Sequence, residues 1–296
     1  MHLIVGATGM LGAAICRRLA SQGRGVRALA RQGSDPQKVA SLQRLGAEIA
    51  LGDLKDRASI EAACRGATVV VSTTSSTVSR REGDSIETVD REGQLALVEA
   101  AERAGARHFV FISFPPVELD IPLQSAKRAV EERLRAGRIG YTILQPTCFM
   151  EVWLSPALGL DLESATARIY GAGNAKISWI SFEDVAKFAA ASIDNSRALD
   201  AVVKLGGPDA LAPMEVVRVA EQIIGKKIAT QHVPEETLRA QYDAAADPLQ
   251  KSFAGLMLYY ARGDVIDMTE TARAFGVEPL RSVREHLRVI AQRRTT

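Results

Sequence analysis

Residues 6–12 read Gly6-Ala7-Thr8-Gly9-Met10-Leu11-Gly12, and this stretch decides the fold class. It follows a short apolar strand pattern at 2–5 and precedes an amphipathic helical pattern at 12–22. The first glycine permits a tight turn, the second lets a pyrophosphate approach the backbone, and the third lets the helix pack closely on the strand. The N–H groups at the helix N-terminus also favour phosphate. A glycine-rich turn without a ligand is the alternative, but strand, loop and helix occur in the order that a dinucleotide site requires.

The first half of the chain alternates short apolar runs with amphipathic stretches. The strand candidates are 2–5, 25–30, 47–51, 68–72, 108–113 and 141–145. Helical patterns lie between them, for example at 59–65, 86–104 and 123–136. Continuous apolar strands separated by helices indicate a buried parallel sheet, and right-handed crossovers make that sheet doubly wound. We therefore predict an α/β fold with a doubly wound Rossmann-type sheet.

The second half of the chain has a different rhythm. Residues 147–174 are irregular and rich in small residues, and most of the remainder shows helical patterns. We predict a dinucleotide-binding domain at 1–150, with 176–206 returning to its sheet through strands at 176–180 and 201–205. Residues 151–175 and 207–296 then form a smaller, mostly helical C-terminal substrate lobe.

Composition and charge exclude several classes of protein. The 296 residues are 47% hydrophobic and 24% charged, with a formal net charge of +2, so neither disorder nor a nucleic-acid partner is indicated. The start of the chain lacks a signal-peptide pattern, and no apolar run is long enough to cross a membrane. Three cysteines and four histidines show no metal-ligand spacing. We expect a cytoplasmic protein without a bound metal, and leave open whether it forms a homodimer.

The residue after the second strand bears on the choice of cofactor. Arg31 lies about 20 residues beyond Gly12, where an NAD-binding fold places an acid for the ribose 2′-hydroxyl. The first acid at or after this point is Asp35. An arginine can instead make charge-assisted hydrogen bonds to a 2′-phosphate. We therefore predict that NADP(H) is preferred and NAD(H) is possible, with an ordinary surface arginine as the alternative.

Two further strand ends supply candidate cofactor-binding residues. Asp53 and Leu54 follow the third strand, where the carboxylate can accept from the adenine amino group or form an Asx turn. Ser72, Thr73 and Thr74 end the fourth strand. Such small side chains suit close approach of the nicotinamide ribose, although a polar strand exit explains them equally well.

With these pieces assembled, the sequence resembles the atypical short-chain dehydrogenase/reductases of the NmrA-like type, similar to bacterial members related to triphenylmethane and quinone reductases. The resemblance implies an extended Rossmann fold, NADP(H) binding and a pocket between the lobes. It leaves the activity open, because the family includes both reductases and non-catalytic redox sensors. The matching stretches are 6–12, 26–31, 52–54, 104–108, Pro146 with Phe149, and 215–233.

Many short-chain reductases use a Tyr-x-x-x-Lys pair, and here only the lysine is present. The candidate is Lys127, whereas Leu123 stands at the tyrosine position and cannot transfer a proton. Lys127 lies on the apolar stripe of its helix pattern and is predicted to contact cofactor or substrate as the catalytic residue. The alternative is an ordinary lysine whose head reaches water. The more polar side of this helix pattern carries Arg128, Glu131, Glu132 and Arg135.

The ends of the fifth and sixth strands complete the predicted site. Ser113 stands where the wider family commonly has a catalytic serine, and is predicted to contact cofactor or substrate, or only to satisfy the strand end. Pro146 and Phe149 are predicted to line the pocket near the nicotinamide. Cys148 is better explained as a small buried apolar residue than as a reactive thiol.

These residues favour an NADP(H)-dependent oxidoreductase acting on a small conjugated or aromatic acceptor such as a quinone, dye or enone. Hydride transfer does not require the missing tyrosine, because the cofactor carries the difficult chemistry. A non-catalytic NADP(H) sensor that binds a protein partner is the alternative. An epimerase or dehydratase with tightly held NAD is a third.

Overall fold

The computed structural model of the chain describes residues 1–77 and 81–292. Its main sheet has seven strands in the order β10-β6-β5-β4-β1-β2-β3. Neighbouring strands in the part of the sheet that runs β6-β5-β4-β1-β2-β3 pair in parallel. The strands are β1 (His2–Val5), β2 (Val26–Ala30), β3 (Glu48–Leu51), β4 (Val69–Ser72), β5 (His108–Ile112), β6 (Gly140–Pro146), β7 (Leu160–Asp161), β8 (Thr166–Tyr170), β9 (Ile177–Ser178), β10 (Ala201–Leu205), β11 (Ala210–Leu211) and β12 (Ala229–Val233). The predicted Rossmann-type α/β fold is confirmed.

Helices connect most of the strands of the main sheet. A π-helical segment, Ile86–Gly93, runs directly into α4. The α-helices are α1 (Met10–Ser21), α2 (Pro36–Arg44), α3 (Arg57–Cys64), α4 (Gln94–Arg103), α5 (Pro122–Ala136), α6 (Met150–Trp153), α7 (Phe182–Ser192), α8 (Pro213–Ile224), α9 (Glu235–Ala244), α10 (Pro248–Arg262), α11 (Thr269–Phe275) and α12 (Val283–Gln292). None of the helices within 1–77 and 81–292 combines the length and the apolar composition needed to cross a membrane.

The strand order places a switch point between β1 and β4. The chain winds outward from β1 to β3, returns to β4 beside β1, and then winds to the other edge. Loops that follow adjacent strands on the two sides of such a point diverge and leave a crevice at the carboxyl edge of the sheet. Residues 6–12 and 73–74 lie at this edge, since they follow β1 and β4 directly.

The core explains why five of the first six strands could be predicted from their composition, whereas β3 lies at the edge of the sheet and has no buried residue. All five residues of β5 are buried, and Phe109 and Phe111 are among the largest fully buried side chains. Strands covered on both faces need apolar residues at successive positions, which gives continuous apolar runs. The predicted strands accordingly end within one residue of the observed bounds.

Several parts of the chain differ from the predicted secondary structure, among them β11, β12 and α11, which had no predicted counterpart. The segment predicted as irregular contains β7 and β8, which join β12 in a three-stranded sheet. The predicted strand at 176–180 does not return to the main sheet, since β9 pairs with β11 instead. Helix α2, like strand β12, has no counterpart in the prediction. Most of β12 is exposed and only Leu42 of α2 is buried, so neither element shows an apolar periodicity.

The chain forms two compact units. Unit 1 comprises Met1–Phe114, Pro122–Gln145 and Val185–Val203, and holds the switch point of the sheet. Unit 2 comprises Pro115–Ile121, Pro146–Asp184 and the chain from Lys204 onward, and includes the three-stranded sheet. The predicted site residues therefore divide, with Pro146 and Phe149 in unit 2 and the others in unit 1.

Candidate functional site

The phosphate loop has backbone geometry that demands glycine at two of its three glycine positions. Gly6 has a φ of +87°, and a Cβ there would lie 2.5 Å from Thr73 Oγ1. A Cβ at Gly12 would lie 2.1 Å from the Gly6 carbonyl oxygen, so the helix could not pack where it does. At Gly9 the same construction gives 3.2 Å to that oxygen, and φ is an ordinary −81°. The fold itself therefore requires Gly6 and Gly12, whereas a side chain at Gly9 would make a tight contact that a loop shift of a few tenths of an ångström relieves.

Helix α1 presents a bare N-terminus to this loop. Gly9 is its N-cap residue, makes no side-chain capping hydrogen bond, and the first turn contains no acid. The N–H groups of a first helical turn have no intrahelical acceptor and carry partial positive charge. Met10 at the start of the helix is 61% exposed, so the terminus is open to solvent. This arrangement fits a dinucleotide pyrophosphate, which supplies the missing acceptors and negative charge.

The end of β4 packs directly against the loop. Thr73 donates to the Val5 carbonyl through both its backbone N–H (2.9 Å) and its hydroxyl (3.2 Å), and buried Ser72 donates to Gln94 Oε1 at 2.8 Å. The Thr74 hydroxyl is buried and has no hydrogen-bond partner among the described residues. Because an unpaired buried hydroxyl is costly, this atom fits a site completed by a polar group of a ligand.

Lys127 is buried at the carboxyl end of β5. Its ammonium group donates to the Ile112 carbonyl at 3.1 Å, lies 3.8 Å from Asp90 Oδ1 and sits 4.9 Å from the centre of the Phe111 ring. The alternative of a lysine whose head reaches water is therefore wrong. Burial lowers the pKa of Lys127, while the Asp90 and Glu131 carboxylates oppose that shift by stabilising the cation.

Asp90 is a buried neighbour of Lys127 that the sequence analysis missed. It is fully buried in the π-helical segment, and its Oδ2 accepts from the Ser76 backbone N–H at 2.9 Å and from the Ser76 hydroxyl at 2.6 Å. Its Oδ1, the atom nearest Lys127, has no hydrogen-bond partner among the described residues. An acid within an otherwise ordinary helical pattern gives no sequence signal of this role, because π-helical geometry and the contact with α5 are tertiary features.

The polar side of α5 also differs from the prediction. Glu131 is buried rather than exposed, and its carboxylate accepts from Arg128, from Arg135 Nη2 at 3.0 Å and from Gln145 Nε2 at 3.0 Å. A buried carboxylate needs such compensation, since an unpaired charge is expensive to bury. The prediction failed here because the partner on β6 is distant in sequence.

Ser113 lies at the exit of β5 and is also buried. Its backbone N–H donates to the Leu144 carbonyl at 2.8 Å, and its hydroxyl accepts a long hydrogen bond of 3.5 Å from Arg128 Nη1. The serine thus completes the strand end, which is one of its two predicted roles. Contact with a cofactor or substrate remains a prediction.

Arg31, predicted to bind the 2′-phosphate, lies among other charged side chains. Arg31 Nη1 donates to Asp84 Oδ2 at 2.7 Å, and Lys55 Nζ pairs with the other oxygen of the same carboxylate. Asp53 Oδ1 accepts from the backbone N–H of Lys55 at 2.9 Å, so its Asx turn is formed. Lys55 and Asp84 carried no signal in the sequence, because 53 residues separate Asp84 from Arg31.

The remaining predicted residues take structural positions. Leu54 is buried in the core of unit 1, so only its backbone is available to a ligand. In unit 2, the ring of Phe149 packs 4.5 Å from that of Phe182, and Pro146 ends β6. Cys148 is buried, and burial raises the pKa of its thiol, which fits the apolar interpretation.

The comparisons with known proteins decide the family. The NmrA-like family matches residues 2–281. The chain belongs to the NmrA-like family. The family resemblance inferred from the sequence motifs is confirmed.

NmrA-like relatives of this chain carry two kinds of name. The photosystem II assembly factor Ycf39 of Trieres chinensis is 31% identical over 234 residues, covering 78% of this chain and 72% of the relative. Pinoresinol reductase 1 of Arabidopsis thaliana is 29% identical over 276 residues, covering 87% and 84%. Sequence similarity alone therefore does not separate a catalytic from an assembly role.

Solved NmrA-like structures with bound cofactor share the fold. An NADPH-dependent quinone oxidoreductase of Escherichia coli, complexed with NADPH, superposes with a TM-score of 0.78 at 22% identity, covering 98% of this chain and 100% of the other. AtPrR2 with NADP⁺ and (+)pinoresinol superposes with a TM-score of 0.77 at 25% identity, covering 97% of each chain.

Proposed function

We propose that this NmrA-like protein is an NADP(H)-dependent oxidoreductase that reduces a small conjugated or aromatic acceptor. The buried Lys127–Asp90 pair carries the proposal, because it lies beside β4 and β5 at the edge where the phosphate loop follows β1. Perturbed ionisable groups in such positions are typical of functional sites. NADP(H) as the cofactor agrees with the solved relatives that contain NADPH or NADP⁺.

The residues of unit 1 divide the work between binding and proton transfer. The α1 N-terminus and Gly6–Gly12 would hold the pyrophosphate, and the Thr74 hydroxyl would gain a partner from the bound dinucleotide. The nicotinamide, when bound, supplies the hydride. Lys127 Nζ holds the proton that a reduced carbonyl or quinone oxygen requires, since its lowered pKa makes the ammonium a better acid. Asp90 keeps that cation in place.

Oxidation of NADPH with a panel of quinones, triphenylmethane dyes and enones tests the proposed activity. We expect acceptor-dependent turnover with at least one class. Tight cofactor binding without turnover on any acceptor would argue against an oxidoreductase.

A second candidate is a non-catalytic NADP(H)-binding protein that engages a protein partner. Buried Leu123 in place of the acid tyrosine favours it, as does the similarity to proteins named photosystem II assembly factors. Capture of partners on the immobilised protein, with and without NADPH, separates the candidates. A sensor must show capture that changes with cofactor, and cofactor-independent results would exclude it.

Arg31→Asp is expected to reverse the cofactor preference. A charge-assisted hydrogen bond to the 2′-phosphate contributes ~1.5–3 kcal/mol, or roughly ten- to a hundredfold in affinity for NADPH over NADH. An aspartate would repel the phosphate and accept from ribose hydroxyls. Dissociation constants for both cofactors at fixed ionic strength measure the effect. Arg31→Ala is the matched control, which should weaken the binding of NADPH and leave the binding of NADH unchanged. Unchanged NADPH affinity in folded Arg31→Ala protein would remove Arg31 from the cofactor site.

Asp90→Asn is expected to move the alkaline limb of the pH profile of kcat/KM to lower pH. The carboxylate favours the charged form of Lys127, so its loss lowers the pKa of the lysine further. Activity that needs the ammonium is present below this pKa and lost above it. Glu132→Gln, at an exposed position on the same helix, should leave the profile unchanged. An unmoved limb in a folded Asp90→Asn protein would separate Asp90 from the proton-transfer step.

A further inference from the structure

The Asp84 side chain is fully buried between two cations. Its Oδ2 accepts from Arg31 at 2.7 Å and its Oδ1 pairs with Lys55, while the two cationic side chains are 33% and 28% exposed. Arg31 follows β2, and Lys55 lies in the loop after β3. A single carboxylate thus joins the carboxyl ends of neighbouring strands at the site assigned to the 2′-phosphate.

A second carboxylate lies near Lys55. Asp53 Oδ2 is 3.7 Å from Lys55 Nζ. A carboxylate and a phosphate are both anionic acceptors that favour the same charged donors. A 2′-phosphate placed on the Arg31 guanidinium therefore competes with Asp84 for its N–H groups and for the charge of Lys55.

The segment that carries Asp84 is fastened on both sides. Arg81 donates to the Gln32 and Gly33 carbonyl oxygens, at 2.9 and 2.6 Å. On the other side, the Thr88 hydroxyl donates to the Gly83 carbonyl at 2.8 Å. Thr88 also forms the capping box of the π-helical segment with Ser85. Asp84 is therefore held against the cations before any ligand arrives, so its competition incurs little ordering entropy.

From these contacts we infer that Asp84 is an intramolecular occupant of the 2′-phosphate site and that Lys55 is the second cation of that site. The inference rests on the proposed function, because it takes Arg31 as the residue that reads the 2′-phosphate. Asp84 then weakens binding of NADP(H) and leaves NAD(H) largely unaffected, so it sets how strongly the protein discriminates between them. Lys55 acts in the opposite direction.

Asp84→Asn tests the first half of this inference. The amide keeps the shape and removes the charge, so we expect NADPH and 2′,5′-ADP to bind on the order of tenfold more tightly. Affinities for NADH and 5′-AMP, which lack the 2′-phosphate, should stay as in the wild type. Calorimetric titration with the four ligands at fixed ionic strength measures this, and Glu82→Gln, an exposed neighbour, is the matched control.

Lys55→Met tests the second half and keeps the inference falsifiable if Asp84→Asn is unstable. The substitution should weaken the binding of 2′,5′-ADP and leave the affinity for 5′-AMP unchanged. Equal or weaker binding of 2′,5′-ADP to folded Asp84→Asn, or equal losses for both ligands in Lys55→Met, would overturn the inference. Failure of the proposed function has a different signature, since Arg31→Ala would then leave 2′,5′-ADP binding unchanged, or NADPH would not be oxidised with any acceptor.

Discussion

Lys127→Met is expected to lower kcat by roughly 10²–10⁴-fold with the best acceptor, the usual contribution of a positioned general acid. Methionine keeps an apolar stem of similar length beside Phe111 but cannot hold a proton. Steady-state NADPH oxidation measures the loss. Cofactor affinity, measured by titration without acceptor, should fall far less, because the phosphate loop is untouched.

The stability of this variant needs its own control. Without the lysine, Asp90 remains as a buried charge that has lost its partner, and breaking such a pair costs about 3–5 kcal/mol. The double variant Lys127→Met with Asp90→Asn removes both charges and should recover much of the thermal stability but none of the activity. Recovery of kcat in the double variant, or an unchanged kcat in the single one, would show that Lys127 takes no part in the reaction.

Gly9→Val is expected to abolish dinucleotide binding, with a loss of at least about a hundredfold, or ~2.8 kcal/mol. The added side chain would stand at the N-terminus of α1, where the pyrophosphate must approach. We expect the fold to survive with a small shift of the loop, since φ at Gly9 is −81° and a new Cβ would make one tight contact, 3.2 Å from the Gly6 carbonyl oxygen. Titration with NADPH measures the loss of cofactor binding, and the thermal unfolding midpoint shows whether the fold is retained.

Two further substitutions make the loop experiment specific. Ser21→Val, at the exposed end of the same helix, introduces the same β-branched residue and should leave NADPH affinity unchanged. Gly12→Val should instead unfold the protein, because its Cβ would lie 2.1 Å from the Gly6 carbonyl oxygen. Near wild-type NADPH affinity in folded Gly9→Val protein would show that the phosphates bind elsewhere.

The strands and the phosphate loop were predictable because their signals are local. Buried parallel strands need consecutive apolar residues, and the loop needs glycines at fixed offsets between a strand and a helix. The exposed strand β12 and the weakly apolar helix α2 escaped prediction for the same reason, since solvent-exposed elements impose little pattern on the sequence. Lys127 was also identified, through its position on an apolar helical stripe and its resemblance to the family lysine.

Local pattern in the chain was thus sufficient for the fold class, and its motifs for the family resemblance, while the phosphate loop, Lys127 and Arg31 stay predictions. The partners of those cations follow only from the tertiary structure, since Asp90 and Asp84 lie in the segment that follows β4, whereas Lys127 lies on α5 and Arg31 follows β2. Hydrogen bonding and burial within one segment act between neighbours in sequence, and they leave a periodicity that can be recognised. Electrostatic pairing between distant segments depends on how the strands are ordered in the sheet. An aspartate that will be buried beside a lysine cannot be distinguished in the sequence from an aspartate that will face water.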